Sequence, residues 1–284
     1  METSRSFQTV SVVVPVKNSS RTIEACLKSI RNQSYPHIEL IVVDNKSTDS
    51  TRLIASKYAD LVLKGGRERS SQRNLGLAKA SGNYVVFIDS DMVLEPTVLS
   101  QGVALFEKQK KVQGLIIPET SFGIGFWAEC KKLERSFYIG IKWLESSRFF
   151  RTKIIREIGG FNESNTGTED YDIHQRLIGE KGVAAIARTK AFIHHDEGNL
   201  NITYTLKKKY YYAQKLQQYT KLKVNNDAFK TQANIFRRYT LFCSNPGKLF
   251  QNPLIGLGMM LMKTLEFIAG GLGFVSVRFL KTTS

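Results

Sequence analysis

Between residues 9 and 89 the chain alternates short runs that are apolar at consecutive positions with stretches that are apolar at helical spacing. Thr9–Val16 (TVSVVVPV), Ile38–Val43 and Tyr84–Ile88 are of the first kind and rich in β-branched residues. A strand with one wet face alternates apolar and polar side chains, whereas one that is apolar throughout is covered on both faces. Arg21–Gln33, with Ile23, Leu27 and Ile30 on one face, predicts a helix, as do Thr51–Tyr58 and Ser70–Ala80. Leu61–Leu63 predicts a short strand ended by Gly65-Gly66. Buried strands alternating with helices call for crossover connections. The pattern therefore predicts an α/β fold, a mainly parallel sheet with helices on both faces.

Beyond residue 95 the pattern loosens. Glu95–Gln109 predicts a helix, Val112–Ile117 a strand, and the aromatic-rich Phe122–Leu144 a long helical segment. Ile154–Ile158 reads as a short helix before Gly159-Gly160, Glu169–Gly179 as another helix, and Val183–Ile186 and Ala191–His194 as strands. From Leu200 onward strands disappear, so the expected division is an α/β domain over 1–200 and a helical region over 201–284. A chain of 284 residues suits one large domain with an appendage, and its 42% hydrophobic and 23% charged residues exclude disordered and collagen-like classes. The three cysteines, Cys26, Cys130 and Cys243, form no C-x-x-C pair, which argues against a disulfide framework or zinc ribbon and for a reducing compartment. Val10–Val14 is too short for the apolar core of a signal peptide, so the body is expected to stay in the cytosol.

Carboxylates mark the ends of two of the buried runs. In sheets of this kind ligands sit beyond the carboxyl ends of the strands, and Asp44 and Asp89 each follow a strand directly. Asp89-Ser90-Asp91 taken alone fits a solvated loop; at the end of a buried strand it places fixed negative charge where Mg²⁺ or Mn²⁺ can bridge to a diphosphate. In Thr168-Glu169-Asp170-Tyr171-Asp172, Thr166 or Thr168 can cap a helix with Glu169 and Asp170 in its first turn. Acidic residues there favour the helix dipole without any chemistry, and one of them can instead serve as general base toward an incoming hydroxyl. His194 and His195 are adjacent in a strand and point to opposite faces, so at most one faces a site, where a neutral imidazole can complete an oxygen-rich metal shell.

The order TVSVVVPVKN, IELIVVDNKSTDST, SSQRNLGLAKASGNYVVFIDSDM, GGFNES and TEDYDIHQRL, over residues 9–198, resembles the large inverting glycosyltransferase family 2, whose members have the Rossmann-like GT-A fold. The resemblance implies that the turn from Val14 to Asn18, Pro15 included, and Asp44 line the pocket for the nucleotide, with Arg73 beside it. It implies that Asp89, Ser90 and Glu169 contribute to the nucleotide-sugar site, Asp89 at the ribose or metal. Asp91 and His195 are expected as ligands of Mn²⁺ or Mg²⁺, and Asp170 as the catalytic base. The chain departs from common family patterns at Ser19, where an acidic residue is frequent, and at Asn45-Lys46, which replaces Asp-Gly. The Q-x-x-R-W signature of processive synthases is absent, which favours transfer of one sugar. A non-catalytic nucleotide-sugar or lipid-binding protein on the same scaffold is the alternative.

Residues 201–284 hold 13 lysines and arginines against Asp227 and Glu266, so most of the net charge of +16 sits there. A basic region beside a nearly balanced body points to an anionic partner. Nucleic acid is the poorer fit, because recognition motifs are missing and an apolar run such as Leu254–Met262 does not bind phosphates. Lys207-Lys208-Lys209-Tyr210-Tyr211-Tyr212 suits a solvated helix face or the headgroup layer of a membrane. Pro253–Leu280 is the most apolar stretch, interrupted by Lys263 and Glu266 at i, i+3 spacing, where they can pair. A spanning helix would carry that pair at mid-bilayer at considerable cost. The sequence therefore favours an interfacial helix, or a hairpin breaking at Gly270-Gly271, over a single spanning helix, and that over a buried core helix. Arg237, Arg238, Lys248, Arg278 and Lys281 flank it as candidates for anionic headgroups. The expectation is an enzyme on the cytoplasmic face of a membrane, with a nucleotide-sugar donor and a lipid-linked or glycan acceptor.

Overall fold

The computed structural model describes residues 8–219 and 223–282, apart from the side chains of 217, 218, 223–226 and 278–282. The chain runs β1 (Val10–Val16), α1 (Ile23–Arg31), β2 (Ile38–Asp44), α2 (Thr51–Tyr58), β3 (Leu61–Lys64), α3 (Arg69–Lys79), β4 (Tyr84–Phe87), β5 (Met92–Leu94) and α4 (Val98–Lys108). It continues through β6 (Gly114–Ile116), β7 (Glu119–Ile124), α5 (Phe126–Ser136), β8 (Ser147–Arg151), α6 (Thr152–Glu157), α7 (Glu169–Lys181), β9 (Ile186–Arg188) and β10 (Ile193–Asn199). Helices α8 (Ile202–Tyr219), α9 (Lys223–Gln232), α10 (Ile235–Cys243), α11 (Pro246–Leu249) and α12 (Pro253–Thr282) complete it.

One compact unit comprises Met1–Pro118, Ser146–Glu163 and Arg176–His194. Its seven-stranded sheet has the order β3-β2-β1-β4-β8-β6-β9. Strands β1, β2, β3 and β4 are mutually parallel, with Val10–Val16 in continuous register against Ile38–Asp44, and β8 is the antiparallel member between β4 and β6. The order reverses at β1, so the crevice between the ends of β1 and β4 is the topological switch point at which such sheets bind ligands. Both faces of β1 are covered, which explains its continuous apolar run. Val10, Val12 and Val14 join Ile23, Leu27 and Ile30 of α1 in the main core. On the other face Val13 meets α3 so closely that a β-carbon at Gly76 would lie 2.3 Å from its Cγ1.

Two strands of this unit escape the sequence pattern. β8 reads Ser-Arg-Phe-Phe-Arg, and four of its five residues are buried, so no apolar alternation survives. β5 has only three residues. The strand expected over Val183–Ile186 is a 3₁₀ turn at Val183–Ala185 followed by β9.

The second compact unit comprises Glu119–Glu145, Ser164–Gln175 and His195–Ser284, so the chain does not divide linearly at residue 200. The reason is packing: Cys130 and Phe137 share a core with Phe242, Leu249, Met259 and Met262. Phe122–Leu144 is not one helix. Strand β7 precedes α5, and Gly125, at a φ of 89° that side-chain-bearing residues rarely adopt, makes the turn between them.

Helix α12 is continuous, so the hairpin at Gly270-Gly271 does not form. Glycines here serve close approach instead: a β-carbon at Gly258 would lie 2.2 Å from the Phe126 ring, and one at Gly273 would lie 2.3 Å from the Tyr210 carbonyl oxygen. Lys263 and Glu266 do pair, at 2.6 Å, but in the protein interior. Lys131 Nζ lies 2.7 Å from Glu134 and 3.0 Å from Glu266, Lys263 also meets Glu134, and Lys209 reaches Glu266 at 3.7 Å. The opposite face of α12 presents Leu254, Leu257, Leu261, Ile268, Leu272 and Val275 to solvent. Pro253–Val277 is long and apolar enough to cross a membrane by length and composition.

The flanking cations behave differently from expectation. Arg238 is buried, its guanidinium over the Tyr138 and Trp143 rings, and Lys248 Nζ donates to the Ser136 carbonyl at 2.8 Å. Only Arg237 is exposed, over Trp143; the side chains of Arg278 and Lys281 lie outside the described residues.

Candidate active site

The carboxyl ends of β1 and β2 are tied together by side chains. Gln72 of α3, buried, donates from Nε2 to the carbonyls of Val16 at 2.9 Å and Val43 at 2.7 Å. Pro15 lies within β1, opposite Val43. Asn18 follows at a φ of 49°, in the left-handed region that asparagine tolerates, and its Oδ1 accepts from the Thr48 N–H at 2.8 Å. The Ser19 N–H donates to Thr51 Oγ1 at 2.7 Å. Asp44, 2% exposed at the end of β2, accepts from the Ser47 N–H at 3.2 Å. The two loops are thus one hydrogen-bonded rim.

At the end of β4, Arg73 donates to Asp89 Oδ1 at 2.8 Å, and Arg69 and Arg148 lie 3.8 and 3.7 Å from Oδ2. Burial pushes the Asp89 carboxyl up, but the three guanidinium groups outweigh it and hold the group well below the usual carboxylate range. Ser90 Oγ donates to Ser19 Oγ at 2.9 Å, joining this loop to the rim. Asp91 is half-buried, and among the described residues its carboxylate has no hydrogen bond or ion pair. The first aspartate is committed to arginines; the second is available. Sequence reading overlooked Gln72 and Arg148: the first looks like a surface polar residue, and the second lies on the unrecognised β8.

The Gly159-Gly160-Phe161 turn is clamped by α3. Asn74 Nδ2 donates to the Phe161 carbonyl at 2.8 Å and its Oδ1 accepts from the Phe161 N–H at 2.8 Å. Arg176 donates to the carbonyls of Ile158 and Gly160 at 2.6 Å each. Both glycines have positive φ, 81° and 64°, which accounts for the pair.

In the second unit, α7 starts at Glu169, and the Asp172 N–H donates to the Thr168 carbonyl at 3.0 Å, placing Thr168 at the helix entrance. Glu169 is buried and Asp170 half-buried in the first turn. The histidines diverge: in the first unit His194 Nε2 lies 3.2 Å from Glu95, while in the second His195 Nε2 lies 2.9 Å from Glu119 Oε2. Arg135 joins the same Glu119 oxygen at 3.0 Å, Glu197 at 3.0 Å and Ser121 at 2.6 Å. Burial raises the Glu197 carboxyl, but the Arg135 charge leads a set of favourable contacts that hold it below its usual value. Among the described residues no three His, Cys, Asp or Glu side chains gather as a metal cluster. Asp91 does offer a carboxylate oxygen and His195 an imidazole nitrogen. Each donor by itself, completed by phosphate oxygens, is of a type that suits Mn²⁺ or Mg²⁺.

Residues 11–166, more than half of the chain, match the family model described as glycosyl transferase family 2. Asp170 and His195 lie beyond that match. The glycosyltransferase GlyA of Streptococcus pneumoniae is 31% identical over 46% of this chain and 18% of its own length. The poly(ribitol-phosphate) β-N-acetylglucosaminyltransferase TarS of Staphylococcus aureus is 33% identical over 39% of this chain and 23% of its own length. The matches thus take up less than a quarter of either relative. The solved mannosyltransferase of Pyrobaculum calidifontis, in complex with GDP-Man and Mn²⁺, has the same fold, with a TM-score of 0.63 over 94% of this chain and 87% of that one at 17% identity. Motif order, sheet topology and family match agree, and the chain belongs to glycosyl transferase family 2, with the GT-A fold.

Proposed function

We propose that the chain is a metal-dependent inverting glycosyltransferase. It moves one sugar from a UDP- or GDP-linked donor to a hydroxyl or phosphate acceptor. The observation that carries the reading is the division of labour in Asp89-Ser90-Asp91 at the switch point: Asp89 is neutralised by arginines, while Asp91 is left available. The Asn18–Asp44 rim, with Pro15, receives the base and ribose, and Arg73 holds Asp89 in place beside them. Ser90 and Glu169 complete the walls of the donor site. Asp91 and His195 would hold Mn²⁺ or Mg²⁺, which would neutralise the departing diphosphate.

Inversion takes a single displacement at the anomeric carbon, so one carboxylate suffices as base; a second acting as nucleophile would belong to a double displacement. Asp170 takes the proton of the acceptor hydroxyl as that oxygen attacks. The complex of the Pyrobaculum enzyme with GDP-Man and Mn²⁺ supports a nucleoside-diphosphate sugar and a divalent cation here.

The outward stripe of α12 supports a membrane-surface location and a lipid-linked acceptor. A helix with its charges turned into the protein and leucines turned out is suited to lie in a lipid interface. The decisive experiment incubates the protein with a panel of UDP- and GDP-sugars and Mn²⁺ and reads release of UDP or GDP. Release from one donor, abolished in Asp170→Asn, is the expected result; no release from any donor overturns the reading.

A further inference from the structure

His195 is held on one side only. Its Nε2 faces Glu119 Oε2 at 2.9 Å, and among the described residues Nδ1 has no hydrogen-bond partner. Glu119 and Ser121 lie two apart on β7, His195 and Glu197 two apart on β10, and Arg135 of α5 closes the group. Ser121, 2% exposed, donates to Glu197 Oε1 at 2.8 Å and accepts from Arg135 Nε at 2.6 Å. The Glu119 oxygen that faces Nε2 already accepts from the Arg135 guanidinium, so across this contact the carboxylate accepts and the imidazole donates. The imidazole therefore carries its hydrogen on Nε2, which leaves the Nδ1 lone pair for a ligand.

We propose that Glu119 is a positioning residue: it fixes the His195 tautomer and ring orientation so that Nδ1 is the metal-binding nitrogen, with Arg135 holding Glu119 in turn. This rests on the reading of His195 as a metal ligand. Carboxylate partners of this kind orient ligating imidazoles and raise their basicity, and their loss usually weakens metal binding 10- to 100-fold. A carboxylate present only to hold β7 against β10 would have no such effect.

The test uses the full chain. Mn²⁺ alone is titrated into wild type, His195→Ala, Glu119→Ala and Glu119→Gln, with the unbound ion read by electron paramagnetic resonance and folding checked by circular dichroism. Long-range ¹H–¹⁵N spectra of the metal-free wild type assign the His195 tautomer. The expected result is an Nε2–H tautomer, a Mn²⁺ Kd raised about 10- to 100-fold in Glu119→Ala, and partial recovery in Glu119→Gln, whose amide oxygen still accepts from Nε2. Weakened binding in His195→Ala beside wild-type binding in folded Glu119→Ala overturns the positioning role alone. Unchanged binding in His195→Ala overturns the metal reading beneath it. An Nδ1–H tautomer in wild type overturns the proposal even where Glu119→Ala fails to fold.

Discussion

Arg73 of α3, with no solvent exposure, donates to Asp89 at the end of β4 over 2.8 Å. Removing one partner of a buried ion pair leaves the other charge uncompensated, at a cost of about 3–5 kcal/mol. Arg69 and Arg148 remain near Asp89 and soften that cost, so Arg73→Met is expected to lose about 3 kcal/mol by urea unfolding. Asp89→Asn in the Arg73→Met background should recover part of the loss. Full additivity of the two would show that the pair is not energetically coupled.

Asp170→Asn is the direct test of the base. General base catalysis contributes about 10²- to 10⁴-fold, so kcat should fall by that factor while the donor KM stays within about threefold. Turnover within tenfold of wild type would assign the proton to another group.

Chelation should remove activity, and added Mn²⁺ should restore it. With Asp91→Asn, restoration is expected only at much higher metal concentration, because a neutral amide is a weaker ligand for a hard cation. Equal Mn²⁺ dependence in mutant and wild type would remove Asp91 from the metal site.

His174 of α7 is 3% exposed, and burial lowers its imidazole to about 4, against an ordinary value near 6.5. Between these values the unfolded chain takes up a proton that the folded chain refuses, so stability is lost as pH falls from about 6.5 toward about 4. The full effect corresponds to about 3 kcal/mol at 1.36 kcal/mol per unit. Urea midpoints at pH 7 and pH 5, compared between wild type and His174→Gln, should show a smaller acid loss in the variant.

Deleting α12 would bare Cys130, Phe137 and Phe242, which share its core, so membrane binding is better tested on its surface. Leu254, Leu257 and Leu261 all lie on the exposed face. Each leucine withdrawn into lipid is worth roughly 2 kcal/mol, and the triple substitution to Gln should reduce flotation with anionic liposomes at least about 100-fold while leaving folding intact. Undiminished flotation would place the lipid contact elsewhere.

The parallel half of the sheet was legible because burial on both faces keeps Val10–Val16, Ser11 apart, and residues 40–43 apolar at successive positions. The positions of Asp44 and Asp89 at strand ends were legible from the pattern alone, whereas the role expected of Asp91 came from the family resemblance. β8 was hidden because Arg148 and Arg151 stand where apolar residues would signal a strand; Arg148 reaches Asp89, and Arg151 donates to the Val112 carbonyl at 2.9 Å. Gly270-Gly271 misled for a different reason: packing along α12 outweighs roughly 1 kcal/mol of helix propensity at each glycine. The Lys263–Glu266 pair was foreseen, but not that Lys131 and Glu134, over 120 residues earlier, would enclose it. Partners so distant in sequence leave no periodic trace.

Neighbouring residues on a single turn of α5 are moored to different neighbours. Glu134 grips Lys263 of α12, and Arg135 grips Glu119, which in turn meets His195. The helix that presents leucines outward and the imidazole of β10 are therefore both tied to one short stretch of α5. If α12 lies on lipid as proposed, the chain of contacts Lys263–Glu134 and Arg135–Glu119–His195 puts the lipid-facing helix and the imidazole on the same short stretch of α5.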